Sequence, residues 1–343
     1  MSHRLGRLTG VSVLAENFDS RDSFLADAQR YRRELLAHCY RMTGSLHDAE
    51  DLVQETYLRA WKSFEGFEGR SSIRTWLYRI ATNTCLTALE SRQRRPLPSG
   101  LGAPSSDPTG AIAEHPEITW LEPLPDAPGE HPSDPSVIVA SRDSVRLAFV
   151  AALQHLPARQ RAVLVLREVL QWKAAEVGEA IGVSTAAVNS LLQRARAQLD
   201  EIQPSADDDV TAPESPEARE LLAKYVAAFE TYDMEALARL FTEDAIFEMP
   251  PFDGWYRGPH DIVMLSKTHC PAQGAGDMRF ISTTANDQPA AALYMLNRET
   301  GRHEEFQLHV LQVRPGGVSH VVAFHAGDGM FARFGLPEFL PVS

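Results

Sequence analysis

The stretch from Leu156 to Leu199 constrains the fold of this chain most, because its pattern is that of a helix-turn-helix. Pro157 is suited to a first helical position, where its fixed φ is helical and its missing N–H is not needed. Gly182 is predicted to end a second helix in a left-handed turn, and Ser184 to cap a third. Such a motif is used most often to hold its last helix in the major groove of DNA.

The two last helices of this motif each have an apolar and a polar face. The second helix, Lys173 to Ile181, is expected to turn Ala175, Ala180 and Ile181 inward, and apolar residues recur at helical period from Val188 to Leu199. An ordinary helical hairpin with a solvated face is the alternative interpretation. If the motif reads DNA, its candidate contacts to bases and phosphates are Ser184, Thr185, Asn189, Gln193, Arg194 and Arg196.

Charge is distributed unevenly along the 343 residues, whose formal net charge is −13. Residues Phe24 to Arg95 carry +3 and residues Ser141 to Leu199 carry +4, whereas residues Pro213 to Ser343 carry −8. The overall charge therefore does not exclude nucleic-acid binding by the two basic blocks. An acidic domain in the same chain is expected to repel DNA or to mask a basic face.

Three amphipathic helices are predicted in the first basic block: Asp22 to Met42, Ser45 to Phe64, and a third that Ser71 or Ser72 caps and that runs to Arg95. The second helix buries an apolar face and is expected to expose an acidic one, formed by Asp48, Asp51 and Glu55 with Gln54 at its margin. Such a face is usually only solvated.

The third predicted helix combines aromatic, polar and basic side chains, which suits the binding of single-stranded nucleic acid. Arg79 and Asn83 are expected to face outward, and three arginines to end the helix in a basic cluster. The helix dipole alone also favours basic residues at a helix C-terminus. The candidate contacts in this block are Phe67, Arg70, Arg79, Asn83, Arg92, Arg94 and Arg95.

The motifs DAEDLVQETYLRAW and TWLYRIATNTCL resemble region 2 of the extracytoplasmic-function (ECF) sigma factors of the sigma-70 family, and the helix-turn-helix resembles their region 4. The resemblance implies RNA polymerase core and promoter DNA as partners. Asp48, Asp51, Gln54 and Glu55 would bind the clamp helices of the beta-prime subunit, and region 4 would contact the beta flap. The loop from Phe64 to Arg70, with Arg79 and Asn83, would hold a flipped base of the minus-ten element, and region 4 would read the minus-thirty-five element.

Residues 96–140 are predicted to be a linker, because they contain 10 of the 22 prolines, seven acidic residues and no lysine or arginine. One apolar island interrupts the linker, and an exposed apolar anchor usually marks a contact. A chance aromatic residue is the alternative. The predicted docking residues are Trp120, Leu121, Glu122 and Pro123.

The remaining residues, 217–343, are predicted to form an α+β domain, in which Arg314 to Gly317 joins two strands as a hairpin. The motif YDMEALARLFTEDAIFEMPP and the helix start at Gly258 resemble the SnoaL-like, nuclear-transport-factor-2-like fold, a curved sheet around a cone-shaped pocket. Some relatives use an Asp/His pair for catalysis. Asp253, His260, His309 and His325 are the candidates here, but their spacing singles out no pair, so no catalytic residue is predicted.

The predicted chain is thus multidomain, with two all-α domains and a C-terminal α+β domain. Its parts are a disordered extension (1–21), region 2 (22–95), an acidic linker (96–140), region 4 (141–202), a second linker (203–216) and the SnoaL-like domain (217–343). Cys39, Cys85 and Cys270 are expected to be buried thiols, and the absence of clustered ligands predicts no metal or other cofactor. No apolar run predicts a membrane span, so a cytoplasmic protein is expected.

The function predicted from these features is a sigma factor whose fused C-terminal domain regulates it in cis and does not act as an enzyme. In the resembling subgroup the linker carries a similar Trp-Leu-Glu-Pro motif. We expect Trp120 and Leu121 to dock on the C-terminal domain and so restrain regions 2 and 4. A ligand-sensing repressor or activator, with an unknown small molecule in the pocket, and a SnoaL-like enzyme tethered to DNA are the rival interpretations.

Overall fold

The computed structural model describes residues 28–67, 69, 71–91, 94–126, 144–202, 211–327 and 329–341. These residues form two compact units. The first unit contains residues 28–91 and 157–196, and the second contains residues 94–156 and 197 onward. The predicted extension and the start of the first predicted helix lie outside the described residues. Among the helices that are described, none is both long enough and apolar enough to cross a membrane.

The first unit begins with three helices, α1 (Arg32–Thr43), α2 (Leu46–Ser63) and α3 (Ile73–Leu89). Gly44 ends α1 in the left-handed conformation with φ of 70°, close to the predicted helix end at Met42. The side chains of Ser45 and Ser72 accept hydrogen bonds from the third backbone N–H after them, which confirms the predicted caps of α2 and α3.

The prediction that α3 runs to Arg95 is wrong, because the helix ends at Leu89. Pro96 disfavours a helical backbone in the residue before it, so the helix has to stop before this point. Arg94 and Arg95 consequently lie on extended chain, which belongs to the second unit.

The next helices are α4 (Leu147–Gln154) in the second unit, and then α5 (Ala158–Leu164), α6 (Ala174–Ile181) and α7 (Thr185–Ile202), with a π-helical turn, Val165–Val169, after α5. Gly182 has φ of 70°, and the Ala187 N–H donates to Ser184 Oγ at 3.2 Å, so the predicted turn and cap are confirmed. A Cβ on Gly178 would lie 2.7 Å from the Val183 carbonyl oxygen, so the tight turn requires a glycine at this position.

Two details of the predicted motif are wrong. Pro157 lies one position before the first helical residue rather than within the helix. Ala175 is exposed, whereas Val177 takes the buried position that had been assigned to Ala175. The reason is the helical spacing: Val177 lies three and four positions before Ala180 and Ile181 and shares their face, whereas Ala175 lies five and six positions before them.

The second unit is built on a seven-stranded sheet whose strands lie in the order β2-β1-β6-β5-β4-β3, with β7 paired to β5. All described pairs are antiparallel except β1 with β6. The strands are β1 (Phe241–Glu248), β2 (Trp255–Arg257), β3 (Met278–Ala285), β4 (Gln288–Asn297), β5 (Arg302–Arg314), β6 (Gly317–His325) and β7 (Phe339–Leu340). The helices are α8 (Pro216–Glu230), α9 (Met234–Ala238), α10 (Gly258–His269) and α11 (Met330–Arg333).

One face of the sheet forms an apolar core with α8, α9 and α10, to which Tyr225, Leu237 and Ile262 contribute fully buried side chains. The hairpin between β5 and β6 is confirmed by the pairing of Arg314 with Gly317. The sequence predicts a helix from Asp233 to Phe241 and a strand from Ala245 to Met249; the helix instead ends at Ala238, and β1 starts at Phe241. Neither β2 nor β7 was predicted, because runs of two or three residues carry no measurable alternation.

Residues 94–126, which we call the strap, are part of the second unit and are mostly extended, with a short 3-10 helix at Pro98–Leu101. The Ser106 N–H donates to the Trp255 carbonyl at 2.7 Å, and the Asn286 N–H donates to the Leu124 carbonyl at 2.8 Å. The proline-rich, acidic composition of the linker predicts extended backbone rather than a packed core. The extended backbone agrees with this prediction, but Leu97, Leu121 and Leu124 are buried, so the expectation that the linker would not pack is wrong for this part of it.

Candidate nucleic-acid interface

The acidic face of α2 is smaller than the sequence predicted. The side chain of Asp51 is 63% exposed, Gln54 is exposed, and Glu55 accepts a hydrogen bond of 2.7 Å from Arg59 one turn later. Asp48, by contrast, is only 7% exposed. Asp48 lies in the first turn of α2, where the free N–H groups of the helix start favour a carboxylate. Because its side chain is buried, Asp48 does not extend the exposed acidic face.

The outward face of α3 presents Arg79 and Asn83, one helical turn apart. Arg79 Nη1 donates to Glu179 Oε1 of α6 at 3.0 Å, and Asn83 Nδ2 donates to the Ala180 carbonyl of α6 at 2.8 Å. Both side chains are exposed as predicted, but both already have partners within the first unit.

The loop before α3 is held by an aromatic contact. The rings of Phe67 and Trp76 lie 4.7 Å apart and are tilted by 31°. The predicted contacts Arg70 and Arg92 lie outside the described residues. Phe67 and Trp76 therefore define the edge of a shallow aromatic surface beside the start of α3, a surface type that stacks unpaired bases.

Behind this face, buried polar groups fix the position of α3 against α1. Glu34 accepts hydrogen bonds from Arg74 at 2.6 Å and from the Tyr78 hydroxyl at 3.1 Å, and His38 is hydrogen bonded to Thr82. Burial, with a smaller effect of Arg41, lowers the pKa of His38 to about 3, so its imidazole is neutral near pH 7. The exposed face of α3 thus stands on a well-connected support.

The basic residues predicted to end α3 do not form one cluster. Arg94 donates to His155 Nδ1 at 2.9 Å and to the Gly100 carbonyl at 3.0 Å. Arg95 donates to the Trp120 carbonyl and to Glu122 Oε1, both at 3.1 Å. Their guanidinium groups hold the strap together in this structure, and the expected basic helix end is therefore absent among the described residues.

The α7 helix presents a continuous polar face after the turn. Arg196 forms an ion pair of 2.5 Å with Glu168, so this arginine lies against the π-helical turn that follows α5. Short polar side chains precede it at the start of α7, which is the end that reaches base edges in such motifs. The six predicted residues of this face, Ser184, Thr185, Asn189, Gln193, Arg194 and Arg196, are all exposed.

The apolar island of the strap contributes mainly through Leu121, which is 1% exposed. The Leu121 N–H donates to the Pro96 carbonyl at 3.2 Å, and Glu122 forms an ion pair with Arg95. Trp120 is half-buried and Pro123 is buried. Arg95, at the start of the strap, thus holds this segment through the Trp120 carbonyl and the Glu122 carboxylate.

The candidate histidines of the C-terminal domain are not arranged as an Asp/His pair. His309 is buried; its Nδ1 lies 2.9 Å from the Tyr225 hydroxyl, and its Nε2 lies 3.0 Å from Gln307 Oε1. Gln307 Nε2 lies 2.7 Å from His325 Nε2. Burial, with His325 nearby, lowers the pKa of His309 to about 3, and burial lowers that of His325 to about 4. Both imidazoles are neutral near pH 7.

These two histidines make the free energy of unfolding of the second unit depend on pH. Their folded pKa values lie below the unfolded value of about 6.5, so the free energy of unfolding falls as the pH drops from 6.5 towards 4, by about 1.4 kcal/mol per histidine and pH unit. His325→Gln keeps an acceptor for Gln307 and should flatten the thermal-unfolding profile of the chain between pH 6.5 and 4. His260→Gln, at an exposed site, is the control, and equal slopes for both variants would contradict the assignment.

Asp253 pairs with a histidine of the strap, His115, rather than with a histidine of the C-terminal domain. His115 Nε2 lies 3.0 Å from Asp253 Oδ2, and His115 Nδ1 lies 2.8 Å from Glu117 Oε1. The hydrogen bond to Glu117, together with the charge of Asp253, raises the pKa of His115. No local pattern in the sequence predicts this pair, because 138 positions separate its members. Among the described residues, no group of three or more His, Cys, Asp or Glu side chains is arranged to hold a metal ion.

Three protein families match successive parts of the chain. Residues 28–95 match Sigma-70 region 2, residues 146–199 match Sigma-70 region 4, and residues 222–328 match the SnoaL-like domain. The ECF RNA polymerase sigma factor SigG of Mycobacterium tuberculosis is 63% identical, over 99% of this chain and 92% of that protein. SigJ of the same organism, also an ECF RNA polymerase sigma factor, is 29% identical over 65% of this chain and 64% of that protein. The crystal structure of SigJ matches with a TM-score of 0.57 at 21% identity, over 91% of this chain and 100% of that one, and has the same fold.

Proposed function

Because the chain belongs to the ECF RNA polymerase sigma factors, we propose how its particular surfaces perform promoter recognition and how its C-terminal domain controls them. Membership establishes the general function, which is to bind RNA polymerase core and promoter DNA in transcription initiation. It also bears out the predicted architecture of two helical sigma domains and a SnoaL-like domain. A factor of this family acts with RNA polymerase, which is the reason to expect it in the cytoplasm.

The proposed core-binding surface is the exposed side of α2, formed by Asp51, Gln54 and Glu55. Leu58, which is 55% exposed, lies one turn further along the helix and supplies an apolar contact among these polar groups. An exposed leucine beside carboxylates suits an interface with an apolar centre and a charged rim. The clamp helices of the beta-prime subunit are its proposed partner, and the beta flap is that of region 4.

The proposed minus-ten surface is the outward face of α3 with the Phe67–Trp76 contact at its start. A base removed from the stack costs a few kcal/mol, which stacking on an aromatic ring and hydrogen bonds to its edge must offset. Asn83 offers both a donor and an acceptor for a base edge, and Arg79 offers a positive charge for the backbone. The observation that carries the proposed function is this pair of exposed donors above a rigid, buried support.

The proposed minus-thirty-five surface is the polar face of α7. Asn189→Ala should change which upstream bases are selected, because a good side-chain contact to a base is worth about 1–3 kcal/mol of discrimination. Arg194→Ala should weaken binding to all sequences and reduce its salt dependence if this arginine contacts phosphate. Selection from a randomised upstream library distinguishes the two effects. Unchanged sequence preference with Asn189→Ala would show that this residue does not read bases.

The proposed role of the C-terminal domain is to hold the strap, and through the strap to control regions 2 and 4 in cis. Its support is the buried Leu121, with Arg95 bound to the flanking Trp120 carbonyl and to Glu122. A small molecule in the domain interior is a proposed input. Transcription in vitro with core polymerase, comparing the whole chain with Leu121→Ala, tests this control.

A further inference from the structure

The donors of the proposed minus-ten surface are occupied by the end of α6. Arg79 and Asn83 lie one turn apart on α3, and they meet two consecutive residues of α6, Glu179 and Ala180. We call these two contacts, Arg79–Glu179 at 3.0 Å and Asn83–Ala180 at 2.8 Å, the latch. Both sides of the latch belong to the first unit.

The acceptors that α6 supplies have the chemistry of nucleic acid. Glu179 presents an anionic oxygen to Arg79, as a phosphate does. Ala180 presents one of the last four carbonyls of α6, which an α-helix leaves without an intrahelical partner and which lie at its negative end. Asn83 donates to this carbonyl as it would to an acceptor on a base edge.

Buried contacts beside the latch fix its geometry. The Tyr78 ring, next to Arg79 in α3, meets the Trp172 ring edge-on at 6.4 Å, and both residues are buried. Arg161 of α5 donates to the Met42 carbonyl near the end of α1. The α6 end is therefore positioned by packing between region 2 and region 4, and the latch residues need no further ordering to meet.

From this arrangement we infer that the end of α6 competes with promoter DNA for Arg79 and Asn83, so that region 4 inhibits minus-ten recognition by region 2 in the free protein. The inference rests on the proposed minus-ten role of these two residues. It adds a contact inside the sigma regions to the control proposed for the strap. Opening this contact, by core polymerase or by release of the strap, frees both donors at once.

The latch is weak enough to be reversible. The Arg79 and Glu179 side chains are 48% and 74% exposed, so their ion pair is screened by water and salt. Removal of the Glu179 charge is expected to tighten DNA binding by the free chain about two- to fivefold. The gain should shrink at high salt, because salt already weakens the ion pair in the unmodified chain.

The test uses Glu179→Gln in the full chain and measures binding of a single-stranded oligonucleotide that carries the non-template minus-ten sequence of a selected promoter. Glu201→Gln is the matched control, since it removes the same charge from an exposed site near the end of α7. Holoenzyme assembled with each variant is measured in parallel on the same promoter. We expect Glu179→Gln to bind more tightly than Glu201→Gln as the free chain, and equally in the holoenzyme, where region 2 is already open.

Equal affinities of the two variants as free chains would overturn the latch, and so would an equal gain in free chain and holoenzyme, which would indicate general electrostatics. Arg79→Ala separates this failure from failure of the proposed function. If Arg79→Ala lowers transcription by the holoenzyme while Glu179→Gln has no effect on the free chain, the minus-ten surface stands and the latch is wrong. If Arg79→Ala leaves transcription unchanged, the minus-ten assignment itself is wrong, and the latch falls with it.

Discussion

Replacing Asp51 and Glu55 together with lysine should abolish co-purification of the chain with RNA polymerase core. Both carboxylates lie on the exposed side of α2, and the reversal turns two attractive contacts into repulsive ones. Like charges placed together at an interface cost several kcal/mol, which corresponds to a loss of affinity of about a hundredfold or more. Affinity is measured by titrating labelled chain with core polymerase at physiological salt.

The control for this variant has to break a similar surface pair without touching α2. Glu220→Lys does so, because Glu220 forms an exposed ion pair of 2.7 Å with Lys224 one turn later in α8, as Glu55 does with Arg59. Both variants should keep the thermal-unfolding midpoint within a few degrees, since surface pairs contribute about 0–1 kcal/mol. Core affinity that survives the double reversal would exclude α2 as the docking face.

Leu121→Ala should loosen the strap around residue 121. Leu121 is fully enclosed, and truncation of a buried leucine typically costs about 2–5 kcal/mol through lost burial and the cavity that remains. The other hydrogen bonds of the strap remain, so the amide hydrogens around residue 121 should exchange faster while those near Ser106 change little. Hydrogen exchange of residues 94–126, followed with transcription by the same variant, measures both this loosening and its consequence.

Two other strap variants make this result interpretable. Leu101→Ala removes the same atoms from an exposed position of the strap and should change neither exchange nor transcription. Trp120→Ala should loosen the strap less than Leu121→Ala, because Trp120 is only half-buried and its carbonyl remains available to Arg95. Loosening of the strap without any change in transcription would show that the strap does not control the sigma regions.

Local signals in the sequence predicted much of the fold correctly. Gly44 and Gly182 end helices where their left-handed conformation is required, and Ser45, Ser72 and Ser184 cap helices through local hydrogen bonds. The turn at Arg314 to Gly317 is equally local. Such positions are predictable because the residues that determine them lie within three or four positions of each other.

Ala175 and Asp48 were both placed on the wrong helix face. The error at Ala175 was local, because Val177 fits the helical spacing to Ala180 and Ile181 better. The other errors arise where residues that are distant in the sequence come together. The partners of Arg79 and Arg95 were not predictable either. Glu179 is 100 positions from Arg79, and Glu122 belongs to a linker whose composition argued against packing. The sequence thus indicated which side chains are chemically suited to bind nucleic acid, but not that the chain itself occupies some of them.

Transcription in vitro from a promoter library tests whether this chain recognises promoters through two separate surfaces. The purified chain is combined with core polymerase, and templates randomised over the upstream region are selected by the RNA they produce. We expect initiation that depends on the chain, from templates that share two separated sequence blocks. Asn189→Ala should alter only the upstream block, and Asn83→Ala only the downstream block. Initiation without the chain, or loss of both blocks together with either variant, would contradict this expectation.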